Sequence, residues 1–321
     1  MPSEFDLIAK YFTRPARNAL LGVGDDCALV DVPAGEVLSI TTDMLVEGTH
    51  FLPDADANLL GHKSLAVNLS DLAAMGATPR WFTLSLALSQ VDEAWLTQFS
   101  EGLFALADEH NIELIGGDTT RGPLTISITA AGSLPAAQAL RRDGAKVGDD
   151  VWVSGYTGDA ALGFAHLQKR VTLPAGAATH CVQRLHQPQP RIALGKKLRG
   201  VAASAADVSD GLLADLGHIL ERSGVSADIE LATLPRSAAL SDCPDYSLAE
   251  QCLIAGGDDY ELVFTAHTNR RADVVAAGRA AGIGVTRIGR IVEGPPIARL
   301  LDVEGRAIDI SNRGFDHFRG I

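Results

Sequence analysis

Acidic residues recur beside glycines and at the ends of apolar segments: Asp25 and Asp26, Asp43, Asp71, Asp118, then Asp207 and Asp210. Any one Asp–Gly pair is commonly a turn or a helix cap. Their recurrence is what suggests chemistry. Magnesium takes oxygen ligands and keeps several waters, so each ion needs few carboxylates, and such sites usually bind substrate phosphates as well. This many carboxylates could hold more than one ion. Asp71 is the first clue. It lies in Val67–Gly76, where Leu65, Leu69, Leu72 and Ala73 recur at helical spacing as an apolar face and Ser64, Asn68, Asp71 and Met75 form another stripe. A carboxylate flanked by apolar surface needs a partner or a cation.

Two segments suit phosphate. Gly116-Gly117-Asp118-Thr119-Thr120 follows a short strand, and glycines let backbone N–H groups approach phosphate oxygens. Asp207-Val208-Ser209-Asp210-Gly211 opens a helix, whose N-terminus favours anions. In that segment Ser209 or Asp210 could equally be the helix cap, and Asp207 and Ser209 would share a face if the chain is extended there. Arg142 and Lys146 could clamp phosphate charge. Neither GxxxxGK[ST] nor a complete GxGxxG occurs, and there is no kinase HRD or DFG set. ATP, if handled, would be held through carboxylate-bound metal.

The elements that must position these residues alternate along the chain. Ser3–Phe12 reads as a helix capped by Ser3 with Asp6 reciprocal, its stripe being Phe5, Ile8, Ala9 and Phe12. A Gly-rich acidic loop at 21–28 precedes a strand from Glu36 to Asp43. The helix carrying Asp71 stops at Gly76, with Pro79 beyond. Strands at Trp81–Leu88, Glu113–Ile115 and Leu124–Ala130 flank a helix over Glu93–Glu109. A polar stretch, Ala136–Asp150, marks a domain boundary. Beyond it come a strand at Val151–Ser154, helices from about Asp159 and from Arg191, and a helix Leu212–Arg222 ended by Gly224. A strand at Ala227–Leu231 follows. Gly256-Gly257-Asp258-Asp259 precedes a strand Tyr260–Ala266, then a helix Arg270–Ala281, a strand Val285–Val292 and a hairpin at Glu304-Gly305. Such alternation predicts a two-domain α/β or α+β chain.

Composition agrees. The chain has 321 residues, 46% hydrophobic and 21% charged, enough for sizeable cores. The formal net charge is −13 with no basic cluster, which argues against a nucleic-acid partner. Four cysteines, Cys27, Cys181, Cys243 and Cys252, form no CxxC pair and read as thiols of a reducing compartment. No signal-like segment and no apolar run of membrane-spanning length occurs, so the expectation is a cytoplasmic protein without a membrane partner.

Taken together, Gly22–Ala28, Thr42-Asp43 with Gly48-Thr49-His50-Phe51, Asn68–Gly76, Gly116–Thr120, Asp207–Gly211, Gly256–Leu262 and Gly314–Phe318 resemble the motifs of the thiamine-monophosphate kinase family, in that family's order and over nearly the whole chain. The resemblance implies a two-domain α/β (α+β) fold like that of aminoimidazole ribonucleotide synthetase. Residues 1–138 would form the N-terminal ATP/Mg-binding domain, which pairs across a homodimer to close a β-barrel. Residues 146–321 would form a C-terminal α+β domain that completes an active site between the two. The implied reaction converts ATP and thiamine monophosphate to ADP and thiamine diphosphate. By the same resemblance Asp26, Asp43, Asp71, Asp118, Asp207 and Asp210 would bind Mg2+, with Thr41 and Thr42 as oxygen ligands or polar support. Gly117, Arg142 and Ser209 would contact the ATP phosphates. His50, Asp258 and Phe315 would contact thiamine monophosphate. No residue is needed as a general base, and Asp207 and Asp210 stand nearest that role. Two positions depart from the pattern: Asp258 stands where Glu is common, and Phe315 where Trp or Tyr is frequent. The rival readings are another enzyme of the same superfamily and a non-catalytic nucleotide- or thiamine-phosphate-binding regulator.

Overall fold

Why the first helix turns the face it does shows how packing overrides a local pattern. α1 (Glu4–Leu7) begins on the expected capping box, Ser3 and Asp6 bonding each other's backbone N–H, and runs into a π-helical turn, Ile8–Phe12. The buried residues are Leu7, Tyr11 and Phe12, while Phe5 is 78% exposed. The expected stripe is thus rotated. The ring of Phe12 meets Phe99 edge-on, and the Tyr11 hydroxyl donates to Glu93, which fixes the inward face. The structure, a computed structural model, describes residues 3–310 and Gly314. Phe315 lies outside the described residues.

The chain divides into two compact units. One comprises the chain up to Leu72 together with Ala77–Ala137, the other Ala73–Gly76 with the chain from Gln138 onward. The first unit continues with β1 (Val37–Val46), α2 (Ala57–Ala74), β2 (Thr78–Leu88), α3 (Glu93–Glu109), β3 (Glu113–Arg121) and β4 (Thr125–Leu134). The sheet order is β1-β4-β2-β3, with β2 and β3 parallel and the other pairs antiparallel. Register rows run straight across it. One row is Asp43–Ile128–Leu84–Gly117 and the next is Met44–Ser127–Ser85–Asp118.

α2 is not two-faced as its pattern suggested. Every residue from Leu60 to Ser70 is buried, and Leu65, Leu69 and Leu72 are wholly inaccessible. Each such leucine contributes about 1.5–3 kcal/mol by leaving water. Close crossing with α3 makes this enclosure possible. A Cβ on Gly61 would lie 2.1 Å from Phe99 O, and one on Gly102 1.9 Å from Asn58 O. β3 is also longer than expected. It runs through Gly116–Thr120, which the sequence placed in a loop, because β2 pairs with it as far as Arg121 after a bulge at Ile115. At Gly117 a Cβ would sit 1.8 Å from Leu84 O, so glycine there serves close strand approach.

The second unit contains β5 (Asp150–Ser154), α4 (Asp159–Leu167), α5 (Ala175–His186), α6 (Ile192–Leu198), β6 (Ser204–Val208), α7 (Leu212–Ser223), β7 (Ser226–Glu230), α8 (Ala238–Ser241), α9 (Tyr246–Ala255), β8 (Glu261–Ala266), α10 (Arg271–Ala281), β9 (Val285–Val292), β10 (Ala298–Leu301) and β11 (Ala307–Ile308). Its seven-stranded sheet has the order β11-β10-β7-β9-β5-β8-β6. Every strand pair is antiparallel except β7 with β10. Among the described residues no helix is long and apolar enough to cross a membrane.

Gly102→Ala is expected to lower stability by about 1–3 kcal/mol, because the methyl must push two helix backbones apart. Gly217→Ala on α7, where a Cβ meets nothing within 4 Å, is expected to stabilise by up to about 1 kcal/mol. Urea unfolding checks both; a neutral Gly102→Ala would contradict the close crossing.

Candidate active site

In the first unit, β1 and α2 bring three predicted residues together. Residues 41 and 43 share a face of β1, and that face meets α2. Thr41 Oγ1 donates to Asp71 Oδ2. The Asp43 carboxyl is pushed up to about 7, first by burial and then by the Asp71 charge. Strand alternation sends the Thr42 side chain to the opposite face, where its hydroxyl bonds that of Thr129 at 2.8 Å. Support beside Asp43 therefore comes from the Thr41 side chain and not from that of Thr42.

Asp118 does not join this group within one chain. It is exposed and belongs to the Met44–Ser127–Ser85 row, on the face opposite Asp43. Its strand is the far edge of the sheet, three strand spacings or about 14 Å away. Asp26 is exposed in a loop closed by a bridge between Leu21 and Leu29, and its N–H bonds Asp25 Oδ1. The chain entering that loop is tied to β3: Glu113 accepts the N–H groups of Arg17, Asn18 and Ala19 at 2.5, 2.8 and 3.1 Å. His50 sits in the turn after β1. Its Nδ1 accepts the Val46 N–H at 3.0 Å, which leaves the ring proton of a neutral imidazole on Nε2.

In the second unit, the two acidic motifs lie backbone to backbone. Asp258 N–H donates to Ser209 O, and Tyr260 N–H to Val208 O, both at 2.8 Å. Asp207 is buried on β6, the sheet's edge strand, paired with Leu262. β6 ends at Val208, so Ser209 lies beyond the extended segment and does not continue the strand face of Asp207. The start of α7 also differs from the expectation of an open anion site. Gly211 is the N-cap, and the N–H groups of Ser209, Asp210 and Gly211 all donate to Asp215 Oδ2 at 3.0 Å. Burial, then Asp210, pushes the Asp215 carboxyl up to about 7 against those three bonds. Asp210, Asp215 and His218 each place a possible ligand atom within 4.8 Å of the others. Arg142 lines a cleft of ≈ 480 Å³ with Arg141, Arg222 and His218.

Asp258 and Asp259 have separate roles. Asp259 is buried and caps the start of α4, accepting the N–H groups of Gly158 at 2.6 Å and Ala160 at 3.4 Å. Asp258, at φ +66, is half-buried and takes a bond from the Tyr260 hydroxyl at 3.0 Å. Behind them Glu261, wholly buried, accepts from Ser154, Arg184 and Arg191. Removing either arginine would leave a buried charge short of partners, which typically costs about 3–5 kcal/mol. Near α7, a Cβ on Gly314 would lie 2.4 Å from Ala214 Cβ and 3.0 Å from Asp210 O, so the chain leading to Phe315 passes Asp210. The thiols of Cys181 and Cys252 are pushed up to about 12 by burial, which makes them poor nucleophiles.

Glu113 and Asp215 escaped sequence reasoning, and Glu261 entered it only as part of the Gly256–Leu262 motif, with no role of its own. The one usable signal was Asp215, four residues beyond Gly211 on the inward stripe of α7.

Models of the AIR synthase related protein family match the chain, the N-terminal domain over residues 24–134 and the C-terminal domain over 146–301. Thiamine-monophosphate kinase of Escherichia coli (strain K12) is 48% identical over 323 residues, with 98% of each chain covered. The chain belongs to the thiamine-monophosphate kinase family. The solved thiamine-monophosphate kinase from Stenotrophomonas maltophilia K279a is 48% identical, with a TM-score of 0.84 over 91% of this chain and 92% of that one. AaThiL, complexed with AMPPCP and TMP, is 30% identical with a TM-score of 0.78 over 92% of each chain. The architecture is thus the two-domain fold of that family, and both family domains carry predicted aspartates.

The Asp43 titration has a measurable consequence. A carboxyl whose folded-state value is about 7 rather than the ordinary 3.8 makes metal-free protein lose stability as pH rises from about 4 to about 7, the full loss persisting above. In excess chelator at pH 8, Asp43→Asn is expected to unfold a few degrees above wild type, about the effect of 1 kcal/mol. Added Mg2+ should raise the wild-type midpoint and not that of the variant. A variant less stable than wild type in chelator, yet still stabilised by Mg2+, would contradict the repulsion account.

Proposed function

We propose that this chain transfers the terminal phosphoryl group of ATP to the phosphate of thiamine monophosphate, giving ADP and thiamine diphosphate, with magnesium held by its aspartates. The observation that carries the reading is the Asp43–Asp71 pair. Asp43, whose proton affinity is raised by burial and then by the Asp71 charge, and Asp71 are half-buried carboxylates suited to a cation, and the Thr41 hydroxyl adds a third hard oxygen. Oxygen donors with no thiol or imidazole among them suit magnesium. Asp207 and Asp210 are the carboxylates of the second unit proposed for the same role; Asp26 and Asp118 are further candidates, Asp118 on the opposite face of the sheet from Asp43.

The acceptor is a phosphate monoester with a second pKa of about 6, so it is already mostly dianionic at neutral pH. The residues therefore need not remove a proton. Their work is to bring two anionic phosphates together in line and to offset their repulsion, which is most of what phosphoryl transfer asks of a protein. Bound magnesium supplies charge neutralisation on the transferred group. Arg142 contributes a guanidinium to the ATP phosphates, and Ser209 a hydroxyl and Gly117 its backbone to the same ligand. Asp258 suits the neighbourhood of a thiazolium cation, with His50 and Phe315 as further substrate contacts. The complex of AaThiL with AMPPCP and TMP supports ATP and thiamine monophosphate as the two ligands.

The same reading includes a homodimer. On the face of β1 opposite Asp43, Leu38, Ile40 and Met44 are 36%, 63% and 55% exposed. Among the described residues β1 is also an unpaired edge, and exposed apolar edges are ordinarily covered. A second copy laid there would close the four-stranded sheet into the barrel of the family, with Asp118 on the covered face. Ile40→Lys is expected to shift the protein from dimer to monomer in sedimentation; a monomeric wild type at micromolar concentration would contradict this.

Purified protein with ATP, Mg2+ and thiamine monophosphate is expected to release thiamine diphosphate, resolved by chromatography. Asp71→Asn should lower kcat by about 100-fold or more while leaving the circular dichroism spectrum unchanged. No thiamine diphosphate, with turnover of a formylglycinamidine ribonucleotide instead, would overturn the reading in favour of a sister enzyme. ATP binding without any turnover would overturn it in favour of a regulator.

A further inference from the structure

The least expected feature of the second unit is the use made of three adjacent N–H groups. Successive backbone N–H groups at the start of a helix form a concave anion site, which is how many proteins bind phosphate. Here Ser209, Asp210 and Gly211 form such a set, and all three donate to one oxygen of Asp215 at 3.0 Å. Asp215 is 3% exposed and lies one turn into α7. Its side chain turns back over the helix start, while its own N–H bonds Gly211 O at 3.0 Å. The loop is thereby closed on itself. It is also pinned from behind: a Cβ on Gly211, already at φ +136, would lie 2.8 Å from Ala255 C, and one on Gly257 2.4 Å from Ser209 O.

We propose that Asp215 is a positioning residue of the phosphoryl-transfer site: its carboxylate occupies the anion nest of residues 209–211 and so fixes the backbone that presents Ser209 and Asp210. This rests on the functional reading above, in which Ser209 meets ATP phosphate and Asp210 meets metal. The arrangement resolves a conflict of charge. An open nest would draw the ATP phosphates onto the backbone of Ser209–Gly211, away from cations held by the Asp207 and Asp210 side chains. With the nest filled by an internal anion, phosphate reaches this loop only through the Ser209 hydroxyl and through a cation. Asp258 and Tyr260 are bonded to the same stretch through Ser209 O and Val208 O, so displacement of the loop also moves the substrate-facing motif.

The test compares Asp215→Ala with Asp215→Asn in the full chain. Alanine opens the nest; asparagine keeps one oxygen that can accept the three N–H groups. Hydrogen exchange of residues 209–211 is read first, because it does not depend on turnover. Protection should be strong in wild type, reduced in Asp215→Asn and lost in Asp215→Ala. In the kinase assay Asp215→Ala should lose about 100-fold in kcat, as expected when a reacting group is misplaced by about 1 Å, and the loss in Asp215→Asn should be about tenfold or less. Inorganic phosphate should inhibit Asp215→Ala at concentrations at least tenfold below those that inhibit wild type, since the vacated nest would accept it. That last change is one that simple destabilisation would not produce.

Unchanged exchange protection in folded Asp215→Ala would overturn the proposal, as would kcat within twofold of wild type. If Asp215→Ala does not fold, Asp215→Asn decides: a loss above 100-fold with unchanged thermal midpoint would mean that the residue acts through its charge, as a ligand, and not by holding the loop. Absence of kinase activity in wild type would overturn the functional reading, and the exchange pattern would then judge the nest alone.

Discussion

Asp43 on β1 is pushed up to about 7 by burial and then by the charge of Asp71 on α2. Much of the first unit serves to keep the two carboxylates there. α2 is enclosed from Leu60 to Ser70 and crosses α3 at Gly61 and Gly102, where a methyl has no room. β1 is held in register with β4 along its whole length. A rigid helix and a rigid strand thus present like charges that a freer chain would separate. Sites built on such elements keep their geometry better than sites on loops, and under the proposed function the repulsion would be relieved by a cation in place of the proton.

The second unit reaches a similar end by another route. Asp207 lies on β6, but Asp210 and Asp258 come from turns, and turns are made rigid by internal acceptors. Asp215 fills the N–H groups ahead of α7, and Asp259 fills those ahead of α4. Glu113 does the same for residues 17–19 of the first unit. Three carboxylates with no predicted role each neutralise a set of backbone donors. Asp26, Asp43, Asp71, Asp118, Asp207 and Asp210 are the aspartates proposed for cations. The acidic composition therefore divides into carboxylates that hold loops and carboxylates available to ligands.

Much of this was legible in advance, and what was missed has identifiable causes. The boundaries of α3 and β9 were read correctly because apolar spacing and turn residues agree there. The order of the motifs is enough to identify the family from the sequence. β3 was cut short because glycines normally end a strand, whereas here Gly117 permits close approach to Leu84. The α2 pattern looked two-faced because Ser64 and Asn68 are polar, yet both side chains bond carbonyls of their own helix, at Leu60 and Ser64, and are buried with it. The separation of Thr42 and Asp118 from Asp43 is a matter of strand faces. It needs the register of four strands, which no local pattern contains.

The central claim is that Asp43 exchanges a proton for a divalent cation. The direct measurement is calorimetric titration of Mg2+ into the metal-free protein at pH 7 in two buffers of different ionisation enthalpy. With a carboxyl near 7, wild type is predicted to release about half a proton from this residue on binding, and Asp43→Asn is predicted to lose that release. Identical heats in the two buffers for wild type, or equal proton release from the variant, would contradict the account.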